Sequence, residues 1–409
     1  MAPYASDDTT TAGEAEEPRT ARRRAARYVV PVTVMGVAAA TIGLVPALAD
    51  SGDPDLPEIT AAQLIEKIAQ SDVEHLSGTV KITTDLGLPN LGGLESGLLS
   101  GAAGSDEEGG SSADPSGRLT ELASGTHTLR VAADGPDRQK LSLLENAAEY
   151  SLIHDGKDVW GYDSGSNEVY HATVDDADAS GGRGEERPPA TPQDFAEEVL
   201  KAVDDTTSVK VDGTAQVAGR DAYKLVVEPK GSGSTVGAIS IAVDHETGLP
   251  LKFTLTPSSG GAAVVDVGFT KVSFDRPDAA TFDFTPPKGA KVTEGDEQGR
   301  DRGRFGKPER GAKSEEDLAK GFDGLTMLGE GWNTVATFDT GSGAGLPTAE
   351  AGGDLGGFLG SLGEEVKGDF GTGTVFGTRL VNALITEDGK VYVGTVTKDA
   401  LVKAADAGK

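Results

Sequence analysis

Between Gly125 and Val174 short alternating runs follow one another with almost nothing between them, and this spacing constrains the fold more than any other feature. The runs are Thr126–Ala132, Gln139–Leu144, Glu149–His154, Asp158–Tyr162 and Glu168–Thr173. Turn residues separate them: Asp134-Gly135-Pro136, Asn146-Ala147-Ala148, Asp155-Gly156 and Ser164-Gly165-Ser166-Asn167. Asp-Gly between alternating runs favours a hairpin, because both turn positions tolerate positive φ. Connections this short join antiparallel neighbours, since a parallel crossover needs about a dozen residues. The segment is a β-meander.

A second meander follows. Val209–Val211, Thr214–Val217, Ala222–Glu228, Ala238–Asp244, Pro250–Thr256 and Ala262–Phe274 read as strands, with a tight turn at Ala218-Gly219-Arg220-Asp221 and another at His245-Glu246-Thr247-Gly248. Each meander is preceded by a short helix. Thr60-Ala61-Ala62-Gln63 is a capping box, and Leu64, Ile65 and Ile68 form one stripe over residues 60–71. Thr191-Pro192-Gln193-Asp194 opens the second helix, with Phe195, Val199, Leu200 and Val203 as its buried face. A strand at Thr79–Thr83 follows the first helix.

The N-terminus indicates the compartment. Arg19, Arg22, Arg23, Arg24 and Arg27 precede an uncharged apolar run from Tyr28 to Ala49, which ends Ala47-Leu48-Ala49. A basic region, an apolar stretch and a small-residue exit make an export signal. The run is also long enough to span a bilayer, so it serves either as a cleaved signal peptide or as a retained anchor with the arginines cytoplasmic. Either way the rest of the chain works outside the cytoplasm, secreted or held at the outer face of the cytoplasmic membrane. The chain carries 37 Lys+Arg against 66 Asp+Glu, a net charge of −29. That balance disfavours nucleic acid and anionic lipid headgroups as main partners, because phosphate neutralisation needs clustered cations. There is no cysteine, which excludes a disulfide framework, a thiol nucleophile, an iron–sulfur cluster and a lipidated cysteine.

No catalytic constellation emerges. The chain has no Gly-x-Ser-x-Gly elbow and no His-Glu-x-x-His pair, and its five histidines lie on separate strands or turns. Glycine runs at 231–237 and 371–377 lead into strand rather than helix, unlike a dinucleotide loop. Asp176-x-Asp178-x-Ser180-Gly181 starts like a calcium loop but has Arg187 where the closing glutamate belongs. No enzyme activity, cofactor or metal is expected.

Five motifs in order carry a resemblance. Leu76-Ser77-Gly78-Thr79-Val80 resembles a first strand of the LolA-like superfamily. Residues 150–163, with Asp155-Gly156-Lys157 followed by Trp160 and Tyr162, look like its "dGk-x-x-W-x-Y" hairpin. Gly219 to Leu225 is similar to its "G-x-x-a-Y-x-L" strand, Asp244 to Leu251 to its "d-x-x-t-g-l-P-l" turn, and Phe284 to Gly289 to its closing "F-x-P-P-k-G". The superfamily includes the outer-membrane lipoprotein carrier, and its fold recurs in the N-terminal domain of anti-sigma-factor regulators of the MucB/RseB type. The resemblance implies an α+β, mainly β fold: an incomplete antiparallel β-barrel, a curved sheet closed by helices around an apolar cavity. It further implies a carrier for the acyl chains of a lipid or lipoprotein, or alternatively an envelope sensor acting through a sigma-factor pathway with a membrane-protein partner.

The expected domains are a tail and signal or anchor at 1–49, the LolA-like β-domain at 50–293, a linker at 294–312 and a small C-terminal α+β domain at 313–409. Inserts near 100–118 and 175–190 are Gly-rich and acidic. In the C-terminal domain a helix is expected after Ser314, a strand at Thr334–Phe338, and helical spacing at Leu355, Phe358, Leu359, Leu362 and Val366. A hairpin joins Arg379–Thr386 to Lys390–Val396, and a terminal helix begins at Thr397. The expected cavity lining is Leu129, Val131, Leu141, Leu143, Leu152, Trp160, Tyr162 and Val226, equally readable as core. Residues 86–99 are leucine- and glycine-rich, and Leu91, Leu94, Leu98 and Leu99 are expected to form either a lid over the cavity or a loop packed on a nearby surface.

Overall fold

Thr60 caps the first helix as its sequence predicts. Its hydroxyl accepts from the Gln63 amide, and the Gln63 side chain accepts from the Thr60 amide, closing α1 (Ala61–Ala69). The computed structural model describes residues 53–87, 111–115, 118, 121–145, 147–173, 190–295, 326–339 and 363–408. The arginine cluster and apolar run, the four lid leucines, the acidic loop up to residue 189 and the helix expected after Ser314 lie outside the described residues.

Strand β1 (His75–Thr84) leads into the first meander: β2 (Gly125–Asp134), β3 (Arg138–Leu144), β4 (Glu149–Asp155), β5 (Asp158–Asp163) and β6 (Glu168–Thr173). Helix α2 (Pro192–Lys201) follows, capped by Thr191 and Asp194. The second meander is β7 (Thr207–Val217), β8 (Arg220–Pro229), β9 (Val236–Asp244), β10 (Pro250–Pro257) and β11 (Val265–Ser273). The two runs expected around Gly213 are one strand, β7, interrupted by a register shift between Val211 and Thr214.

These strands, with β12 (Lys291–Glu294), form one curved, open sheet of twelve. Its order is β12-β6-β5-β4-β3-β2-β1-β11-β10-β9-β8-β7. The two meanders join through β1, which pairs antiparallel with both β2 and β11. One strand departs from the antiparallel expectation: β12 pairs parallel with β6. The chain reaches it by crossing the sheet as a long connection from β11, which permits a parallel neighbour where a tight turn would not.

A second sheet contains β13 (Thr326–Leu328), β14 (Val335–Asp339), β15 (Glu364–Gly368), β16 (Gly371–Gly377), β17 (Asn382–Thr386) and β18 (Lys390–Gly394), in the order β13-β14-β18-β17-β16-β15. Helix α3 (Lys398–Ala407) covers it, burying Leu401 and Ala405 against Leu384, Tyr392 and Val396. Val366, expected on a helix, is a buried residue of β15. Leu355, Phe358, Leu359 and Leu362, the other residues of that spacing, lie outside the described residues; at Val366 itself the neighbouring glycines leave too few apolar positions to separate a period of 3.6 from one of 2.

The two sheets are in direct contact. The Thr235 amide donates to the Thr395 carbonyl (2.9 Å), the Thr397 amide to Gly233 (2.7 Å), and the Trp332 indole to the Thr207 hydroxyl (2.9 Å).

Helices α1 and α2 lie on one face of the large sheet. Leu64 and Ile68 join a core with Leu225, Val227, Ile239, Ile241, Phe253 and Val267. Helix α2 adds Phe195, Val199 and Leu200 at its margin, whereas Val203, expected on the same face, lies beyond the helix end and is 37% exposed. Gly248 explains how closely α1 approaches: it has φ +77, and a Cβ there would meet the Lys67 carbonyl at 2.4 Å.

Candidate functional site

The expected lining residues fall on both faces of the sheet. Cross-strand pairing puts Leu129 opposite Val80 and Leu143, Val131 opposite Leu141, and Leu141 opposite Leu152. Paired residues in a sheet project from the same face. Leu129, Val131, Leu141, Leu143 and Leu152 therefore share the helix-bearing face, where all five belong to or pack against the main core.

Trp160, Tyr162 and Val226 project from the opposite face. Leu152 pairs with Gly161, so Trp160 stands beside Ile153 and Tyr162 beside Ser151. Val226 pairs with Ser240, while its neighbours Leu225 and Val227 point into the core. The eight expected lining residues thus divide, five on one face and three on the other. The signal is present in the sequence: a two-residue Gly156-Lys157 turn pairs Asp155 with Asp158 and fixes every later pair.

The helix-bearing face has two differently covered halves. Helices α1 and α2 sit on β7, β8, β10 and β11. Over β4–β6 the cover is chain from the end of the insert. The Ala113 carbonyl accepts from the Tyr150 hydroxyl (3.2 Å), and it sits over Gly161, where a Cβ would lie 2.3 Å from it. Ser111 and Ser112 donate to Glu168, at 3.1 Å and 2.9 Å for the Ser111 hydroxyl and the Ser112 amide. These donors and Lys291 hold the Glu168 carboxyl down to about 2, with the Lys291 hydrogen bond as the largest cause.

Arg118 completes the anchor. It reaches Asp163 (2.7 Å), Glu145 (3.1 Å) and Glu121 (3.2 Å), and lies 5.9 Å from the Tyr150 ring centroid. Burial pushes the Asp163 carboxyl up, but donors from Gly165, Ser166 and Arg118 outweigh it and leave it below its ordinary value. Leu122 closes the cover beside β1 and β2, at 5% exposure. The other root of the insert is anchored too. The Arg379 amide donates to the Leu86 carbonyl (2.9 Å), and its guanidinium meets Asp85 Oδ2 (2.8 Å). No sequence motif flags Arg118 or Arg379, because their partners lie far away in the chain.

The opposite face is crossed by the connection from β11 to β12. Phe282 is fully buried there, and Phe284 lies 5.5 Å from Trp160 and 5.7 Å from Tyr162. His171 stacks on Trp160 at 3.8 Å and bridges Asp158 (2.9 Å) to Glu294 of β12 (2.7 Å). Burial lowers the His171 pKa, but the two carboxylates outweigh it and raise it above the ordinary value. A raised folded-state pKa adds stability that is complete below about pH 6.5 and fades as pH rises through the folded value. The melting temperature should therefore fall on going from about pH 6 to about pH 8, and His171→Gln should flatten that slope. A slope unchanged in the variant would show that His171 does not couple β12 to the sheet.

Beside this strap is an open cleft of about 460 Å3. Arg130, Lys140 and Lys271 stand around it, with Thr281 of the strap on one side. Among the described residues, no group of three or more His, Cys, Asp or Glu side chains is placed to hold a metal, and no helix is long and apolar enough to cross a membrane.

No protein-family model matches the chain, and no curated relative matches it. Solved structures similar to it include the MucA/MucB complex of Pseudomonas aeruginosa, at 15% identity and a TM-score of 0.36, covering 84% of this chain and 96% of that one. A LolA superfamily protein from Nitrosomonas europaea is 11% identical, with a TM-score of 0.21, covering 56% of this chain and 99% of that one. An uncharacterized conserved protein from Thermus thermophilus is 13% identical, with a TM-score of 0.30, covering 57% and 98%. Likenesses of this size assign no function.

Proposed function

We propose that this chain is an extracytoplasmic, non-enzymatic binding protein that takes acyl chains of a lipid or lipid-modified protein against the helix-bearing face of its large sheet. The observation that carries this reading is the uneven cover of that face. Helices pack the β7–β11 half, whereas Leu143, Leu152 and their neighbours on the other half lie beneath chain pinned through polar contacts of Arg118, Ser112 and Tyr150. Lifting this cover returns Arg118, Asp163 and Ser112 to water, which replaces their hydrogen bonds, whereas lifting a packed helix exposes apolar surface with nothing to replace its contacts. Acyl chains inserted there would be stabilised by roughly 25 cal/mol per Å2 of apolar surface removed from water, with no catalytic group needed.

A sensor reading is favoured by one observation. Arg379 ties the root of the same insert to the second sheet, so cargo that moved the insert would be felt there. A membrane-protein partner would then read that sheet. Native extraction followed by lipid mass spectrometry tests the main reading. Co-purifying acyl species, lost on Leu143→Gln, are expected; a chain that carries none and binds no fluorescent fatty acid overturns it.

A further inference from the structure

We propose that the cleft on the face opposite the helices binds a phosphoryl group, either of a soluble phosphorylated compound or of a lipid headgroup. Three cations converge there in a chain whose net charge is −29. Pairing explains how they meet. Thr79 on β1 faces Arg130 on β2 and Lys271 on β11, so these two cations flank one threonine. Strands two apart stand about 10 Å from each other, a gap that long side chains can close around one anion. Lys140 enters from the next row, opposite Ala132.

The floor between them is small and hydroxylated, formed by Ser77 and Thr79. Gly78 allows the β11 backbone close, since a Cβ there would meet the Lys271 carbonyl at 2.6 Å. Small floor residues beneath long cations leave a hollow, and its volume falls in the range of small-ligand sites. None of Arg130, Lys140 and Lys271 makes an ion pair among the described residues. Elsewhere on the same sheet Lys210 is paired with Glu228, Lys224 with Asp212 and Lys252 with Asp266. Glu149 is the carboxylate on the lining, and it already accepts from the Ser151 hydroxyl at 3.1 Å. Three cations against one carboxylate leave a positive hollow with hydroxyl donors at its base. That donor set suits the several oxygens of a phosphoryl group better than one carboxylate.

This site is independent of acyl binding, since it uses the other face and needs no apolar cargo. Titration of the full-length chain with inorganic phosphate, followed by calorimetry, tests it. Saturable binding is expected. In the double variant Arg130→Gln/Lys271→Gln, both exposed positions that the fold does not require, it should weaken by at least about tenfold. Lys288→Gln, an exposed cation elsewhere, should leave it unchanged. Flotation with phosphatidylcholine vesicles containing phosphatidic acid then separates the sources. Capture lost in the double variant identifies a lipid headgroup, whereas capture equal in both proteins alongside variant-sensitive phosphate binding identifies a soluble compound. Phosphate that fails to bind at about 10 mM, or binds the double variant as well as the native chain, overturns the proposal.

Discussion

Replacing Asp244 by alanine is expected to lower folding stability by about 3–5 kcal/mol, read as a fall in the urea midpoint. Asp244 closes β9 and its side chain has no exposed surface. It accepts from both Nε and Nη2 of Arg220, from the Glu246 and Thr247 amides (3.1 Å and 2.7 Å) and from the Thr247 hydroxyl (2.9 Å). Burial alone would push this carboxyl up, but Arg220 and the Thr247 donors hold it below its ordinary value. Arg220 also pairs with Glu246 and lies 4.7 Å from the Phe274 ring centroid, so one guanidinium joins the β7–β8 turn to the β9–β10 turn. Alanine strands two backbone amides and removes the main partner of a three-quarters-buried cation. Because the folded carboxyl is depressed, its contribution is complete above about pH 3.9 and is lost as pH falls through the folded value. Asp244→Asn keeps an acceptor for the amides and should cost less than alanine. Equal losses would mean that charge, rather than the turn's hydrogen bonds, carries the effect.

The Arg220–Asp244 pair also marks where sequence reading stops. Asp244 and Arg220 each lie within a motif of the resemblance, yet nothing local joins residues 24 positions apart. Short-range signals are legible. Thr60 and Thr191 cap their helices, and Asp155-Gly156 and Asp388-Gly389 turn their hairpins with both glycines at positive φ. Turn chemistry is decided within four residues, so it can be read from four residues. Register across several strands is legible only in principle. Apolar character groups Trp160 and Tyr162 with Leu152, although the two-residue turn places them on the other face. β12 carries no signal of its own, because Lys291–Glu294 is short, mostly exposed and polar, and its pairing depends on where the strap delivers it. The cleft is invisible for a related reason. Arg130, Lys140 and Lys271 look like ordinary solvated positions of alternating strands, and only the register of four strands brings them together.

Phe253→Ala is the second large effect, about 3–5 kcal/mol from lost burial and the cavity left behind. Phe253 is 2% exposed and sits mid-sheet, paired with Ile241 and Val267. Its ring stacks on Phe195 of α2, with centroids 5.1 Å apart and planes 30° from parallel. Helix α2 packs chiefly on β10, the strand that carries Phe253. The helix has ten residues, too short to persist in water without its apolar face docked. The variant should therefore lose α2 before the sheet, and limited proteolysis near Lys201 should accelerate ahead of global unfolding. Phe195→Ala removes the same stacking from a partly exposed position and should cost less. If Phe253→Ala destabilises the chain while α2 stays protected, Val199 and Leu200 hold the helix, and the apolar face keeps its helical cover without the aromatic pair.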